Sequence, residues 1–306
     1  MKIGNPMSLN KTIQDIKSLR IQGATAVAKE TVLGMLSFSE KLPTKSWSAS
    51  GGKEKNSKKF IKQVKKAGEQ LAYARPTEPM AQNLVENIIA KLKKMSKQGA
   101  DIKQTKEIFE YLVKHELREL EEDHKDLVKN GIKLIKSGDK ILTFCHSSSV
   151  EKILISAKKE GKNFQVIVPE TRPLFQGRIT AKNLSQAGIN VTMIIDSKTD
   201  TVLNSKKVDK VLIGADVILK NGDVINKVGS FGIAEDAYQN KIPVYVAAIT
   251  LKKKQGKAPV KIEKRHKYEI WKKAPKNVSI ENPAFDKIPA KFITGIITEQ
   301  GILKFT

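Results

Sequence analysis

Two side chains able to move protons stand at the ends of apolar runs. Val211-Leu-Ile-Gly-Ala-Asp216 stops at a lone carboxylate, and Lys140-Ile-Leu-Thr-Phe-Cys145 stops at the only cysteine of the chain. Short β-branched runs of this kind read as buried parallel strands, and ligands of open α/β sheets bind beyond the carboxyl ends of such strands. A thiol and a carboxyl at one sheet edge are suited to acid–base work. Plainer readings stand beside this one: a strand-end Asp commonly caps a loop or the next helix, and a free buried Cys is commonly inert packing. His146-Ser-Ser-Ser149, directly after the cysteine, is rich in N-capping residues. A third loop, Pro169-Glu-Thr-Arg-Pro-Leu-Phe-Gln-Gly177, carries a carboxylate and an arginine to the same edge.

The elements that must hold these groups follow from the rhythm of the chain. From Ile132 onward strands alternate with helices, which predicts an α/β domain with a mainly parallel sheet covered on both faces. Strands are expected near 140–145, 164–169, 191–195, 210–215, 243–248 and 292–298, and helices at about 148–160, 178–187, 198–206 and 230–240. The polar turn Lys220-Asn-Gly-Asp223 follows Asp216, and Val224-Ile-Asn-Lys-Val-Gly229 comes after it.

The first 130 or so residues read as helical, which divides the chain into a helical domain over 1–130 and a sheet domain over 131–306. Two helices are expected within 12–36, meeting near Gly23, and a third from Ser57 to about Ala72. Residues 43–57, with Pro43, Gly51 and Gly52, look like a mobile connection. Further helices are expected through Met80 to Leu92 and from about Gln104 to Asn130, the last closed by Gly131. Arg75 precedes Pro76 at a helix entry. It reads either as a surface arginine or as an anion contact favoured by the positive end of the next helix.

Composition narrows the classes. One cysteine in 306 residues excludes an intrachain disulfide framework and a cysteine-cluster metal site, so a reducing, cytoplasmic setting is expected. No apolar run reaches the roughly 18 residues of a membrane span. The net charge of +24 comes from lysines spread along the chain, densest at Lys53 to Lys66 and Lys252 to Lys276. They read as solvated faces or as attraction for an anionic substrate, and nucleic-acid binding is not expected without stacking aromatics or a known module. No dinucleotide fingerprint, Walker loop or metal-ligand cluster is present, so neither cofactor nor metal is expected.

Thr143-Phe-Cys-His-Ser147, Glu170-Thr-Arg-Pro-Leu-Phe-Gln-Gly177, Gly214-Ala-Asp216 with Asn226-Lys-Val-Gly229, Ala74-Arg-Pro-Thr77 and Asn282-Pro-Ala-Phe-Asp286 together resemble the family of translation initiation factor 2B regulatory subunits and sugar-phosphate isomerases. The resemblance covers nearly the whole chain and implies a helical N-terminal domain followed by a Rossmann-like, mainly parallel sheet. Isomerase branches keep a Cys after the first strand and the Asp of Gly-Ala-Asp, and this chain keeps both. Cys-His-Ser and the Glu-Thr-Arg-Pro loop are most similar to the archaeal ribose-1,5-bisphosphate isomerase branch. The usual Cys-Asn-Ala-Gly of methylthioribose-1-phosphate isomerases is not seen at Cys145.

The resemblance implies an aldose–ketose step in nucleoside and AMP salvage. A C1-phosphorylated furanose must open with proton transfer to its ring oxygen, after which a base moves the C2 proton. By resemblance Cys145 is that base, its thiolate favoured by a helix N-terminus at Ser147 and nearby cations, and Asp216 is the acid. Substrate contacts implied in the same way fall on Gln22, Gly23, Ala24 and Thr25 with Arg20 close by, on Arg75, on Ser147, Ser148 and Ser149, on Glu170, Arg172, Gln176 and Gly177, and on Asn226, Lys227 and Lys252. The chain departs from the family pattern where Gln22 replaces an arginine, Ser148 a frequent lysine and Ile249 a glutamate, and where it stops at Thr306. Relatives form dimers and hexamers, so a homo-oligomer is expected. The alternatives implied are a methylthioribose-1-phosphate isomerase, or a noncatalytic regulatory subunit that binds a sugar phosphate or nucleotide.

Overall fold

A computed structural model describes residues 8–42, 47, 52–96, 99–205, 207–256 and 259–305. The chain divides into two compact units, Met1–Glu122 and Asp123–Thr306.

The first unit is helical. Helix α1 (Leu9–Lys17) starts three residues before the expected Thr12, because Ser8 accepts from the Lys11 amide as N-cap. Helix α2 (Ala24–Glu40) begins after Gly23, whose φ of 85° makes the break expected there. Helix α3 (Lys53–Ala72) takes in the end of the stretch read as a mobile connection and starts after Gly52. Of the remainder, residues 43–46 and 48–51 lie outside the described residues. Helices α4 (Pro79–Ser96) and α5 (Ile102–Ile132) follow. Two glycines let helices close up: a Cβ on Gly34 would lie 2.9 Å from Leu71, and one on Gly68 only 2.7 Å from Met35. Phe60 and Phe109, both fully buried, meet edge to face at 5.8 Å.

The unit boundary falls inside α5, at Glu122/Asp123. Gly131 does not close this helix; it sits within the last turn. A Cβ there would lie 2.4 Å from Ile153, so the glycine serves close packing and not a left-handed cap.

The second unit carries strands β1 (Lys140–Leu142), β2 (Gln165–Pro169), β3 (Asn190–Ile194), β4 (Lys210–Gly214), β5 (Val217–Ile218), β6 (Val224–Lys227), β7 (Val244–Ala247), β8 (Phe285–Ile288), β9 (Gly295–Thr298) and β10 (Gly301–Leu303). Helices α6 (Ser148–Lys159), α7 (Gln176–Gln186), α8 (Thr199–Asn204) and α9 (Ser230–Gln239) alternate with them. Among the described residues the strands form a seven-stranded sheet in the order β10-β9-β7-β4-β1-β2-β3 and a three-stranded sheet in the order β5-β6-β8. The large sheet is parallel except for β10. From β1 the chain moves outward to β2 and β3, then returns to β4 and moves out the other way, so the strand order reverses between β1 and β4. Strand β4 is buried along its whole length, as the apolar run that follows Lys210 requires.

Three features differ from the expected elements. β1 ends at Leu142, because the chain turns at Cys145, whose φ is 64°. The small antiparallel sheet was not expected, since only the short apolar segment Val217–Leu219 lies between Asp216 and the turn that begins at Lys220. Strand β9 is shorter than expected at its start, where a 3-10 turn, Ala290–Phe292, puts Phe292 against Phe231 and Tyr238. No helix among the described residues is long and apolar enough to cross a membrane.

At the opposite end of β4, the Lys210 ammonium donates to Asp139 and to the Leu134 carbonyl at 2.8 Å, with both side chains of the ion pair at most 10% exposed. Asp139→Ala leaves a buried ammonium without its counter-charge and is expected to cost about 3–5 kcal/mol, read as a lower urea midpoint. An unchanged midpoint would show that water solvates Lys210.

Candidate active site

Cys145 and Asp216 follow adjacent parallel strands, β1 and β4, on either side of the point where strand order reverses. Ligands of open α/β sheets bind in this crevice because the two flanking loops diverge there. Gly214 lets the walls approach: a Cβ on it would come within 2.6 Å of the Ser147 hydroxyl. Ser147 is the N-cap of α6, and its side chain accepts from the Val150 amide at 3.5 Å. The N-terminus of α6 therefore opens immediately after Cys145, with Ser148 half-buried in its first turn and Ser149 buried.

The backbone of Cys145 is gripped from both sides. Its N–H donates to Thr171 Oγ1 at 3.1 Å, and its carbonyl accepts from the Thr180 hydroxyl at 2.9 Å. A left-handed conformation at a non-glycine residue costs about 1–3 kcal/mol and persists where its surroundings over-determine it, as here. Thr180 Oγ1 also lies 3.1 Å from His146 Nδ1. Because the threonine proton goes to the Cys145 carbonyl, Nδ1 is the donor to Thr180. The same nitrogen lies 3.5 Å from Glu151, which Asn183 holds at 2.8 Å.

The charged groups Lys227, Asp216 and Asp196 act on the Cys145 thiol, and burial dominates them. Loss of water pushes the thiol up to about 11; the Lys227 ammonium and the His146 backbone N–H pull it down, and the Asp216 and Asp196 charges push it up further. The expected thiolate is thus not the resting form. Burial favours the neutral thiol, which can begin as a proton donor.

Asp216 is half-buried, and its amide donates to Ile225 of β6 at 2.8 Å, which fixes the start of the small sheet. Lys252 is buried, with its ammonium on the Ala215 carbonyl at 2.6 Å, one residue before Asp216. Asn226 is buried and donates to Ser230 Oγ at 2.9 Å, while the Asp286 carboxylate takes the Gly229 amide at 2.6 Å and that of Phe231 at 3.3 Å. These contacts hold Lys227 in place, its ammonium 5.7 Å from the centre of the Phe285 ring.

The third loop is equally constrained. Gly177 tolerates no side chain, since a Cβ there would lie 1.9 Å from the Pro169 carbonyl oxygen. Glu170 pairs with Arg178 at 3.0 Å. Arg172 is exposed, donating to the Ile270 carbonyl at 3.3 Å and lying over the Phe175 ring. Gln176 is buried, and its Oε1 has no hydrogen-bond partner among the described residues.

In the helical unit, Arg20 is exposed and paired with Asp15 at 2.9 Å. Gln22 and Gly23 are exposed, Ala24 is buried and Thr25 half-buried, and no side chain caps the N-terminus of α2. Arg75 is not a surface arginine: it is buried and paired with Glu78 at 2.8 Å.

Sequence reasoning missed Thr171, Thr180 and Asp196. Asp196 follows the apolar run Val191–Ile195 just as Asp216 follows its own, so the same strand-end signal was available for it.

Residues 20–305 match the initiation factor 2 subunit family. The ribose 1,5-bisphosphate isomerase of Thermococcus kodakarensis is 34% identical over 298 residues, covering 95% of this chain and 89% of that protein. The methylthioribose-1-phosphate isomerase of Geobacillus kaustophilus is 32% identical over 319 residues, covering 97% and 84%. Among solved structures, the Pyrococcus horikoshii translation initiation factor eIF-2B superposes with a TM-score of 0.79 at 29% identity, covering 98% of both chains.

Proposed function

We propose that this chain, which belongs to the initiation factor 2 subunit family, is an aldose–ketose isomerase that converts ribose 1,5-bisphosphate to ribulose 1,5-bisphosphate. The observation that carries this reading is the placement of Cys145 and Asp216 on neighbouring strand ends at the switch point of the sheet. The relatives named for sugar-phosphate isomerisation support the reaction class. The Cys-His-Ser and Glu-Thr-Arg-Pro elements favour the bisphosphate over the methylthio sugar.

The reaction divides into proton transfers that two residues can share. The Cys145 thiol gives its proton to the ring oxygen as the C1–O4 bond breaks, leaving an electron-poor C1 that acidifies the C2 proton. The thiolate so formed, stabilised by the Lys227 ammonium, takes that proton and produces an enol phosphate across C1 and C2. The Asp216 carboxylate takes the proton of the C2 hydroxyl and returns it to C1, which completes the C2 ketone and leaves the C1 phosphate bonded. Both residues end as they began. The N-terminus of α6, with Ser147 as its cap, and Lys227 favour one phosphate electrostatically. The readings of Gln22, Gly23, Ala24, Thr25, Arg20 and Arg75 as substrate contacts rest on family resemblance alone.

Purified protein given ribose 1,5-bisphosphate, without added metal or nicotinamide, is expected to form the ketose, measured by coupling to a ribulose-bisphosphate carboxylase. Turnover of methylthioribose 1-phosphate with none of the bisphosphate would place the chain in the neighbouring branch.

A further inference from the structure

The left-handed turn at Cys145 is set by groups on two other strand ends. Cys145 follows β1, Thr171 follows β2 and Asp196 follows β3, and these three strands are neighbours in the order β1-β2-β3. Thr171 is fully buried and itself left-handed, with φ of 63°. Its hydroxyl donates to the Pro169 carbonyl at 3.2 Å, which leaves a lone pair for the Cys145 amide at 3.1 Å. The Asp196 carboxylate accepts the Thr171 amide at 2.7 Å with one oxygen and the Arg172 amide at 2.6 Å with the other. Two successive amides of a left-handed turn form an anion-binding concavity, and here a carboxylate of the chain fills it.

From this geometry we propose that Thr171 and Asp196 are positioning residues for Cys145: Asp196 locks the Thr171–Arg172 backbone, and the Thr171 hydroxyl in turn fixes the Cys145 amide and so the direction of the thiol. The inference rests on the isomerase reading for its effect on turnover, and on the single cysteine for an independent readout. Neither residue touches the reacting atoms in this account. Both act by keeping the donor sulfur within the narrow range of positions that proton transfer tolerates.

The test compares Thr171→Ser, which keeps the hydroxyl, with Thr171→Val, which keeps the shape and loses both hydrogen bonds, and with Asp196→Asn. With ribose 1,5-bisphosphate, kcat is expected to fall on the order of 10²-fold in Thr171→Val and Asp196→Asn, while KM stays within about threefold and Thr171→Ser stays close to wild type. Iodoacetamide alkylation of intact protein, followed from neutral pH to about pH 11 and read by mass spectrometry on the peptide that carries Cys145, separates the thiol from the lysines that also react at high pH. The charged groups facing that thiol are Lys227, Asp216 and Asp196, with His146 the next residue. Thr171→Val should alter the alkylation rate at fixed pH by about fivefold or more, whereas Thr171→Ser should not; Asp196→Asn, which removes a negative charge, should move the profile to lower pH. Thr171→Ser as impaired as Thr171→Val would assign the effect to packing and overturn the proposal, as would Thr171→Val at wild-type kcat. If wild type turns over no sugar phosphate, the isomerase reading fails, and alkylation decides this inference by itself: identical profiles in all variants refute it.

Discussion

Cys145→Ser is expected to reduce turnover of ribose 1,5-bisphosphate on the order of 10³–10⁴-fold, the upper range for loss of a general acid–base group. Serine preserves the size of the side chain and the two backbone hydrogen bonds to Thr171 and Thr180, so the fold around the site should stand. Its hydroxyl is too weak an acid to supply the ring oxygen and leaves no usable base for C2. A thiol held at about 11 is already a reluctant donor, and an alcohol lies further out. Binding should survive, because the phosphates are assigned to other groups. A thermal-shift titration is therefore expected to show ligand stabilisation in the variant close to that of wild type. Near wild-type turnover would remove Cys145 from the mechanism and bring the regulatory reading forward.

Asp216→Asn should be nearly as damaging, on the order of 10³-fold, because the amide matches the carboxylate in shape and cannot exchange a proton. The backbone tie to Ile225 is unaffected by the change, so β5 and β6 should keep their register. This variant also has a signature separate from turnover. The Asp216 charge is one of the influences that hold the proton on Cys145, so removing it favours the thiolate and the thiol should titrate below about 11. Alkylation of the single cysteine across pH is the measurement. A midpoint unchanged from wild type would show that the two groups do not sense each other.

The elements of the large sheet were legible because each central strand carries its own apolar run, and Cys145 and Asp216 stood out as polar residues ending two of them. The small sheet was hidden by its shortness: β5 is only Val217–Ile218, and a two-residue strand after Asp216 has no periodicity to read. Gly131 misled because a glycine near a helix end signals a stop, whereas this one makes room for Ile153. The thiol's protonation was read from the N-terminus of α6 and from cations along the sequence. Burial, which no spacing reveals, outweighs them. Arg75 shows the same limit from another side. Its partner Glu78 is visible three residues on, but the burial that ties the two together is not. Thr171 and Asp196 escaped because their importance lies in backbone amides they meet only when β1, β2 and β3 lie side by side.

The most direct measurement is a ¹³C NMR time course with ribose 1,5-bisphosphate labelled at C2. Wild-type protein is expected to convert the C2 alcohol signal to that of a ketone while the C1 phosphate stays bonded, and neither Cys145→Ser nor Asp216→Asn is expected to do so on the same timescale. A C2 signal that never changes with wild-type protein, although the sugar raises the thermal midpoint, would contradict the isomerase reading and leave a protein that binds the sugar phosphate without isomerising it.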